Sequence, residues 1–386
     1  MNIKALTPLW TGGVESGKCD RIHETGILGS LRWWMEVLVR GMGGNVCDPT
    51  EQKCSYKNGL CEVCKIFGAE GQKRRFRLEV VQDNTKPDKN VSPKIELQPY
   101  QYQYKDQQGR EKTGTRTPTW YFPQNEEDKP RSSTFTVQIQ SLHPNFTPEV
   151  IGGLIQFIAD WSALGARPQM GFGVIQVEGS RIDTQPLHDW LVTTAGSDTY
   201  SDLPSLQNIF LAKIQPKAST PPFKEQDTFN LKYDLRKLFR TDVEANDGKD
   251  GDGKSRPKKK DRDKDLRHFI MGAVSDDKNN KRDDKTEDKS MAAKIKISRP
   301  YNENGTTVMR VWGWIPKEDD CKKDLYKNGW NREKVVEVIY QYLTANYTLH
   351  DWCEMSLTRD TEAKNISDAK VFLHSLLKLQ ETSDAV

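Results

Sequence analysis

The sequence predicts an α+β protein built from two tandem βαββαβ units, the ferredoxin-like (RRM-like) order, interrupted by a cysteine-rich loop, a hairpin insertion and a charged disordered insertion. Three observations carry this. Apolar residues switch between period two and a helical period in the order strand, helix, strand, strand, helix, strand over the first half. A looser echo of that order follows in the second half. Two long polar stretches, 86–130 and 241–290, lack the apolar residues that a core requires. With 386 residues the chain has room for two domains, placed at 1–185 and 186–386.

Residues 3–9 (IKALTPL) read as the first strand. Ser30 is placed to cap a helix whose stripe is Leu31, Trp34, Met35 and Leu38, with Glu36 and Arg40 as a surface pair four apart. In 74–82, Phe76, Leu78 and Val80 alternate onto one strand face, and 133–142 forms the next strand. Thr147 and Pro148 begin a second helix with Ile151, Leu154, Ile155 and Ile158 as its buried stripe and Gly165 at its end. Residues 173–182 close the unit. In the second half, 208–214 is a strand, 229–240 a helix, "AAKIKISRPY" and "TTVMRVWGWI" are strands, and 332–343 is a helix that Asn331 can cap.

Within 86–130, "LQPYQYQYKDQQGREKTGTRTPTWYF" alternates Tyr100, Tyr102 and Tyr104 and contains a glycine turn, so it reads as an extended hairpin. Residues 241–290 are mostly Asp, Lys, Asn, Gly and Arg and are expected to be largely disordered.

Composition narrows the function. The net charge is only +3 although 29% of residues are charged, so a nucleic-acid surface must be local. No apolar run could span a bilayer and no signal peptide opens the chain, so a cytoplasmic location without membrane contact is expected. Walker A, G-x-S-x-G, kinase and H-E-x-x-H patterns are missing.

Cys47, Cys54, Cys61 and Cys64 fall within the loop 45–66, spaced by six, six and two residues. Thiolates crowd together only around a cation, and a Cys-x-x-Cys turn supplies one edge of a tetrahedron, so structural zinc is expected; four sulfurs leave no open catalytic position. Cys19 or His23 could substitute as a ligand, whereas Cys321 and Cys353 read as plain thiols.

Gly12, Gly13 and Gly17 would let backbone approach a ligand, and Gly26 and Gly29 would precede a helix N-terminus suited to phosphate; tight helix-on-sheet packing explains the same glycines. Lys18, Arg21 and Arg32 add cations. In "LGARPQMGFGVIQV", Gly165, Gly171 and Gly173 surround Arg167, and strand order brings this bend close to Gly12 and Gly13. Together they would form a track for a sugar-phosphate backbone. Lys73, Arg75 and Arg77 share a strand face, either for RNA or simply as a solvated edge. Asp20, beside Arg21 and His23, is the candidate catalytic base or Mg ligand for RNA cleavage, or a solvated surface acid.

The stretches "LTPLWTGG", "GILGSLRWWME", "CKIFGA" and "LGARPQMGFGVI" resemble the RAMP superfamily of CRISPR proteins, the Cas-seven-like backbone subunits. Within it, the chain is most similar to the first RAMP subunit of type III-B Cmr effectors, or to a type III-D-like subunit with an inserted domain. The resemblance implies an RNA-binding subunit that grips guide RNA, positions target RNA and contacts other RAMP subunits in antiviral defence. Residues 86–130 would be its thumb-like insertion. Asp20 stands where cleaving relatives carry an aspartate, but the Cmr first subunit is regarded as non-cleaving. An endoribonuclease using Asp20, and a zinc-stabilised assembly protein without RNA contact, are the alternatives.

Overall fold

The computed structural model describes residues 1–15, 17–48, 54–105, 108, 110–122, 128–200, 202–239, 266–272, 292–316, 332–356, 359–360 and 368–379. Cys321, Asn331 and nearly all of 241–290 therefore lie outside the described residues.

In the first half, β1 (Asn2–Leu9), β2 (Phe76–Asp83), β8 (Arg131–Ser141) and β9 (Ile175–Val177) form an antiparallel sheet in the order β2-β8-β1-β9. The short β3 (Lys86–Pro87) adds to β8. Helices α1 (Glu24–Gly41) and α3 (Glu149–Trp161) join these strands, with the single short turn α2 (Glu62–Phe67) between them. In the second half, β10 (Ile209–Gln215), β11 (Ile295–Ile297), β13 (Thr306–Trp314) and β14 (Thr348–Cys353) form another antiparallel sheet, ordered β11-β13-β10-β14, with β12 (Tyr301–Glu303) on β13. Its helices are α5 (Glu225–Leu238) and α6 (Arg332–Asn346). Counted within each half, both sheets run fourth, first, third, second. The architecture is mixed α+β.

Helix α1 buries Ile27, Leu31, Trp34, Met35 and Leu38. Each such side chain contributes about 1.5–3 kcal/mol on leaving water. Its start differs from expectation: the N-cap is His23, and Ser30 lies a turn and a half inside. The Ser30 hydroxyl donates to the Gly165 carbonyl at 3.0 Å and accepts from the Gly165 N–H at 2.8 Å, pinning the helix to the second glycine bend. Gly26 lies inside α1 because a Cβ there would stand 2.5 Å from the Thr11 carbonyl oxygen. Close packing, not an anion site, accounts for it. The Glu36–Arg40 pair is buried, not on the surface, and Glu36 bridges Arg40 and Arg32. Helix α3 buries the expected stripe and starts at Glu149 with Pro148 as cap; it ends at Trp161, short of Gly165. Strand β9 is shorter than the expected 173–182.

The insertion after β3 is a two-tiered hairpin. Its base pairs β4 (Lys94–Glu96) with β7 (Thr119–Tyr121), and its arm pairs β5 (Tyr100–Lys105) with β6 (Glu111–Arg116). Ile95, Leu97 and Phe122 root the base in a cluster with Phe172 of the first half and Phe229 of α5.

Two elements absent from the sequence reading, α4 (Gln185–Thr193) and α7 (Ala369–Leu376), pack together over the first half. The Trp161 indole N–H and the Thr184 hydroxyl both donate to carbonyls at the end of α7, at Leu376 (2.7 Å) and Leu377 (2.8 Å). Arg310 of β13 joins the halves most directly. It is 1% exposed, and its guanidinium donates to the carbonyls of Ala159 at 2.6 Å and Ser162 at 2.8 Å, where α3 ends. A cation there meets both the orphan carbonyls and the negative end of the helix dipole.

Candidate metal centre and glycine bends

The sulfurs of Cys47, Cys54, Cys61 and Cys64 lie within 4.8 Å of one another. Cys47 sits 3.7 Å from both Cys61 and Cys64. A tetrahedral zinc with bonds of about 2.3 Å sets its sulfurs about 3.8 Å apart, so this donor set could hold a metal ion such as zinc. The local fold explains the arrangement: Cys61 caps α2 and accepts the Cys64 N–H at 3.4 Å, which puts both sulfurs on one side of the turn. Hydrogen bonds from Cys64 and neighbouring N–H groups pull the Cys61 thiol down to about 4, while burial beside that thiolate pushes Cys47 up to about 12. The hydrogen bond to Cys61 likewise raises the Cys64 thiol.

Arg32 borders the cluster. Its guanidinium reaches Cys64 Sγ at 3.0 Å, the Gly68 carbonyl at 3.1 Å and Glu36 Oε1 at 3.1 Å. Burial alone would lower its pKa, but Cys64 and Glu36 outweigh burial and raise it. Arg32 thus braces the cysteine cluster. Neither Cys19 nor His23 joins the cluster among the described residues: Cys19 is fully buried near Thr11, and His23 turns to Asp20. Cys353 is a buried core thiol.

The two glycine bends do come together, through backbone. Ala166 N–H donates to the Trp10 carbonyl at 2.6 Å, and Gly173 N–H to the Pro8 carbonyl at 2.9 Å. Val174 N–H adds a bond to the Thr7 hydroxyl at 3.0 Å. Arg167, in a left-handed conformation (φ 59°), lays its guanidinium 3.7 Å from the centre of the Trp10 ring. Burial lowers its pKa.

Their glycines serve different ends. A Cβ on Gly165 would meet the Trp10 carbonyl oxygen at 2.5 Å, and one on Gly173 the Leu164 carbonyl oxygen at 2.1 Å. One on Gly171 would meet the backbone N of Arg299, from the second half, at 2.7 Å. Gly171 also accepts the Arg299 N–H at 2.9 Å. These three positions are filled by the protein itself, which corrects the expectation that Gly171 and Gly173 line an open track. Gly13 is half-closed by Asp20 Oδ1 at 2.9 Å. Gly12 (φ 77°) and Gly17 (φ 88°) face open space.

Around that open bend, Arg21 is half-exposed and reaches Glu24 at 3.1 Å, and Lys18 reaches Glu15 at 2.7 Å. Asp20 is exposed and accepts a 2.7 Å bond from buried His23, and that bond, with the positive field of His23 and Arg21, holds its carboxyl below the usual range. Arg77 is exposed on β2, an outer strand, paired with Glu79; Arg75 lies just before that strand and is half-buried. Sequence reasoning missed Arg299 and Arg310, buried cations that fix the halves. For Arg310 the signal was a charge inside the otherwise apolar strand run "MRVWGW"; Arg299 follows its strand in the polar stretch "KISRP" and carries no such mark.

No helix among the described residues is long and apolar enough to cross a membrane. No curated protein matches this sequence. Among solved structures, the chain is similar to the apo crystal structure of Cmr1 from Pyrococcus furiosus, at 13% identity and TM-score 0.42, over 90% of this chain and 97% of that one. It is also similar to a chain of the cryo-EM structure of type III-B Cmr-beta bound to cognate target RNA and AMPPnP in the presence of ssDNA, at 12% identity and TM-score 0.42, over 89% and 98%. A third likeness is to Cmr-beta bound to cognate target RNA alone, at 11% identity and TM-score 0.40, over 88% and 98%. The family model for the RAMP superfamily matches residues 2–176, the segment that holds the first sheet, the cysteine cluster and both glycine bends. Over that segment the chain is similar to the RAMP superfamily.

Proposed function

We propose that the protein is an RNA-binding, non-catalytic backbone subunit of a type III CRISPR ribonucleoprotein, gripping guide RNA and helping position target RNA beside other RAMP subunits. The observation that carries this reading is the open bend at Gly12 and Gly17, flanked by Lys18, Arg21 and, across the junction, Arg167 stacked on Trp10. Bare backbone next to cations suits a ribose-phosphate chain, which needs N–H donors and positive charge more than a shaped cavity. The match of the segment bearing this bend to the RAMP superfamily, and the motif resemblance to type III subunits, support the assembly. The shared strand order of the two sheets supports reading the halves as tandem ferredoxin-like units, divided near residue 185. The two-tiered hairpin would serve as the thumb, and zinc in the cysteine cluster would stiffen the loop 45–66.

The test is crosslinking of RNA to the purified complex followed by peptide mapping, with metal analysis of the same sample. Crosslinks to peptides spanning 12–32, with one zinc per chain, are expected. Absence of both RNA and crosslinks would leave the assembly-protein reading instead. A second reading has one specific observation behind it: exposed Asp20, held 2.7 Å from buried His23 on the same bend, could take a proton from a ribose hydroxyl or hold Mg. Loss of target cleavage at one position in Asp20→Ala would establish it.

A further inference from the structure

The cysteine cluster is a closed donor set, yet its four sulfurs are not equally defended. Four thiolates on one divalent ion leave an excess of negative charge, which N–H groups around the site disperse. Those donors are shared out unevenly. Cys54 Sγ accepts the Cys61 N–H at 3.4 Å, and Cys61 Sγ accepts the Cys64 N–H at 3.4 Å. Cys64 Sγ accepts from the Arg32 guanidinium at 3.0 Å, a charged donor. Among the described residues no N–H reaches Cys47 Sγ, whose neighbours are the sulfurs of Cys61 and Cys64 at 3.7 Å.

Exposure follows the same division. Cys61 and Cys64 are 3% and 1% exposed, while Cys47 and Cys54 are half-buried. Only Cys47 therefore combines solvent access with a sulfur that no N–H covers. Its main chain, by contrast, is well held. Arg40 donates to the Cys47 carbonyl at 3.4 Å, and the Val46 N–H donates to the Tyr200 hydroxyl at 2.9 Å. Glu36 ties the two sides together, since its carboxylate receives Arg32 at 3.1 Å and Arg40 at 3.3 Å. One face of α1 thus grips Cys64 by its sulfur and Cys47 only by its backbone.

We infer that the metal-loaded cluster opens at Cys47, whose thiolate is the first to be modified by a soft electrophile, while Arg32 and two backbone N–H groups hold the other three sulfurs in place. The thiolate is the nucleophilic form of cysteine, and an N–H donor draws charge away from its attacking lone pair. With a maleimide, the Cys47 sulfur bonds to one alkene carbon, the carbon–carbon π bond breaks, and the other carbon takes a proton from water. The resulting thioether is uncharged and a far weaker ligand, so three sulfurs remain as donors and one position is open. The inference rests on the metal-binding reading for the ion itself; the order of attack follows from the donors. Arg32 is then a positioning residue, keeping Cys64 in the donor set from outside it.

The test uses the full chain loaded with zinc and treated with less than one equivalent of N-ethylmaleimide. Peptide mapping by mass spectrometry compares the four ligands with one another, and a chromogenic chelator follows zinc release. Cys47 is expected to take the label several times faster than Cys54, Cys61 or Cys64, with zinc release keeping pace, a readout that needs no variant to fold. Arg32→Gln should lower zinc affinity about 10–100-fold in chelator competition and bring Cys64 into the early-labelled set. Arg32→Lys, which restores a cation, should recover part of both. Cobalt loading separates the two readings. If the cobalt form shows the thiolate charge-transfer bands of a four-sulfur site but all four cysteines label together, or another leads, the inference is overturned and the metal-binding reading stands. If neither zinc nor cobalt binds, both fall. Unchanged affinity and labelling order in Arg32→Gln would overturn the positioning role of Arg32.

Discussion

Set side by side, the bend at residues 12–17 and the bend at 165–173 share a composition and differ in what occupies the missing side chains. Around Gly165, Gly171 and Gly173 the space is taken by carbonyls and N–H groups of Trp10, Leu164 and Arg299. Around Gly12 and Gly17 it is empty. A glycine permits both a left-handed backbone and a close neighbour, and only the second property tells whether room remains for something else. The closed bend is therefore a clamp between β1 and the second half, and it holds the open bend in place through Pro8 and Trp10.

Substitutions at the two bends should separate accordingly. The largest effect is expected from Gly173→Ala, where a Cβ would lie 2.1 Å from a carbonyl oxygen on a backbone with φ 94°. A cost of about 3 kcal/mol or more, read in denaturant unfolding, follows from a clash that only backbone movement can relieve. A loss under about 1 kcal/mol would mean that the clamp is loose and that the two bends are alike. Gly12→Ala, with φ 77° and no neighbour, should cost only about 1–2 kcal/mol of left-handed strain, yet lower RNA affinity because the methyl stands where the strand would run. Unchanged affinity in a gel-shift series would remove the open bend from the binding surface.

Arg167→Ala tests the link between them. Losing the stack on Trp10 should cost about 1 kcal/mol in stability and weaken RNA binding more at low salt than at high. Equal weakening at all salt concentrations would make Arg167 a packing residue. Asp20→Asn should do least. The Asp20 pKa is held below its unfolded value of about 3.9, so what stability its charge adds is present above that pH and lost as the pH falls through the lower folded value. Thermal melting of the variant should then fall slightly below that of the unaltered chain at neutral pH, and the two should converge in strong acid, where Asp20 itself is protonated; identical melting at every pH would mean that the charge and its bond to His23 add nothing to stability.

Much of the first sheet was legible because its apolar residues repeat at the strand and helix periods, and the hairpin because Tyr100 begins a clean alternation toward a glycine turn. The cysteine cluster was legible because thiols at this spacing have little other use outside disulfides. Helix starts were harder. Gly26 reads as a breaker, and its place inside α1 depends on Thr11, which no local pattern reveals. The spacing of Glu36 and Arg40 fixes their mutual approach but not the face they occupy, so a buried bridge reading as a surface pair is the natural error. Strand β9 stops short because Gly173 and Gly179 both adopt positive φ, at 94° and 92°. Helix α7 packs on residues far away in sequence, and its eight residues carry no separate signal of that partner.

Arg310 bears on how the chain reaches this state. The carbonyls that finish α3 find their charged donor on a strand made some hundred and fifty positions later, so an amino-terminal fragment ending near residue 185 would expose the frayed end of its second helix to water. During synthesis the early sheet must wait, incompletely sealed, until β13 emerges. The two sheets share a common plan, yet a residue of the second completes a helix of the first.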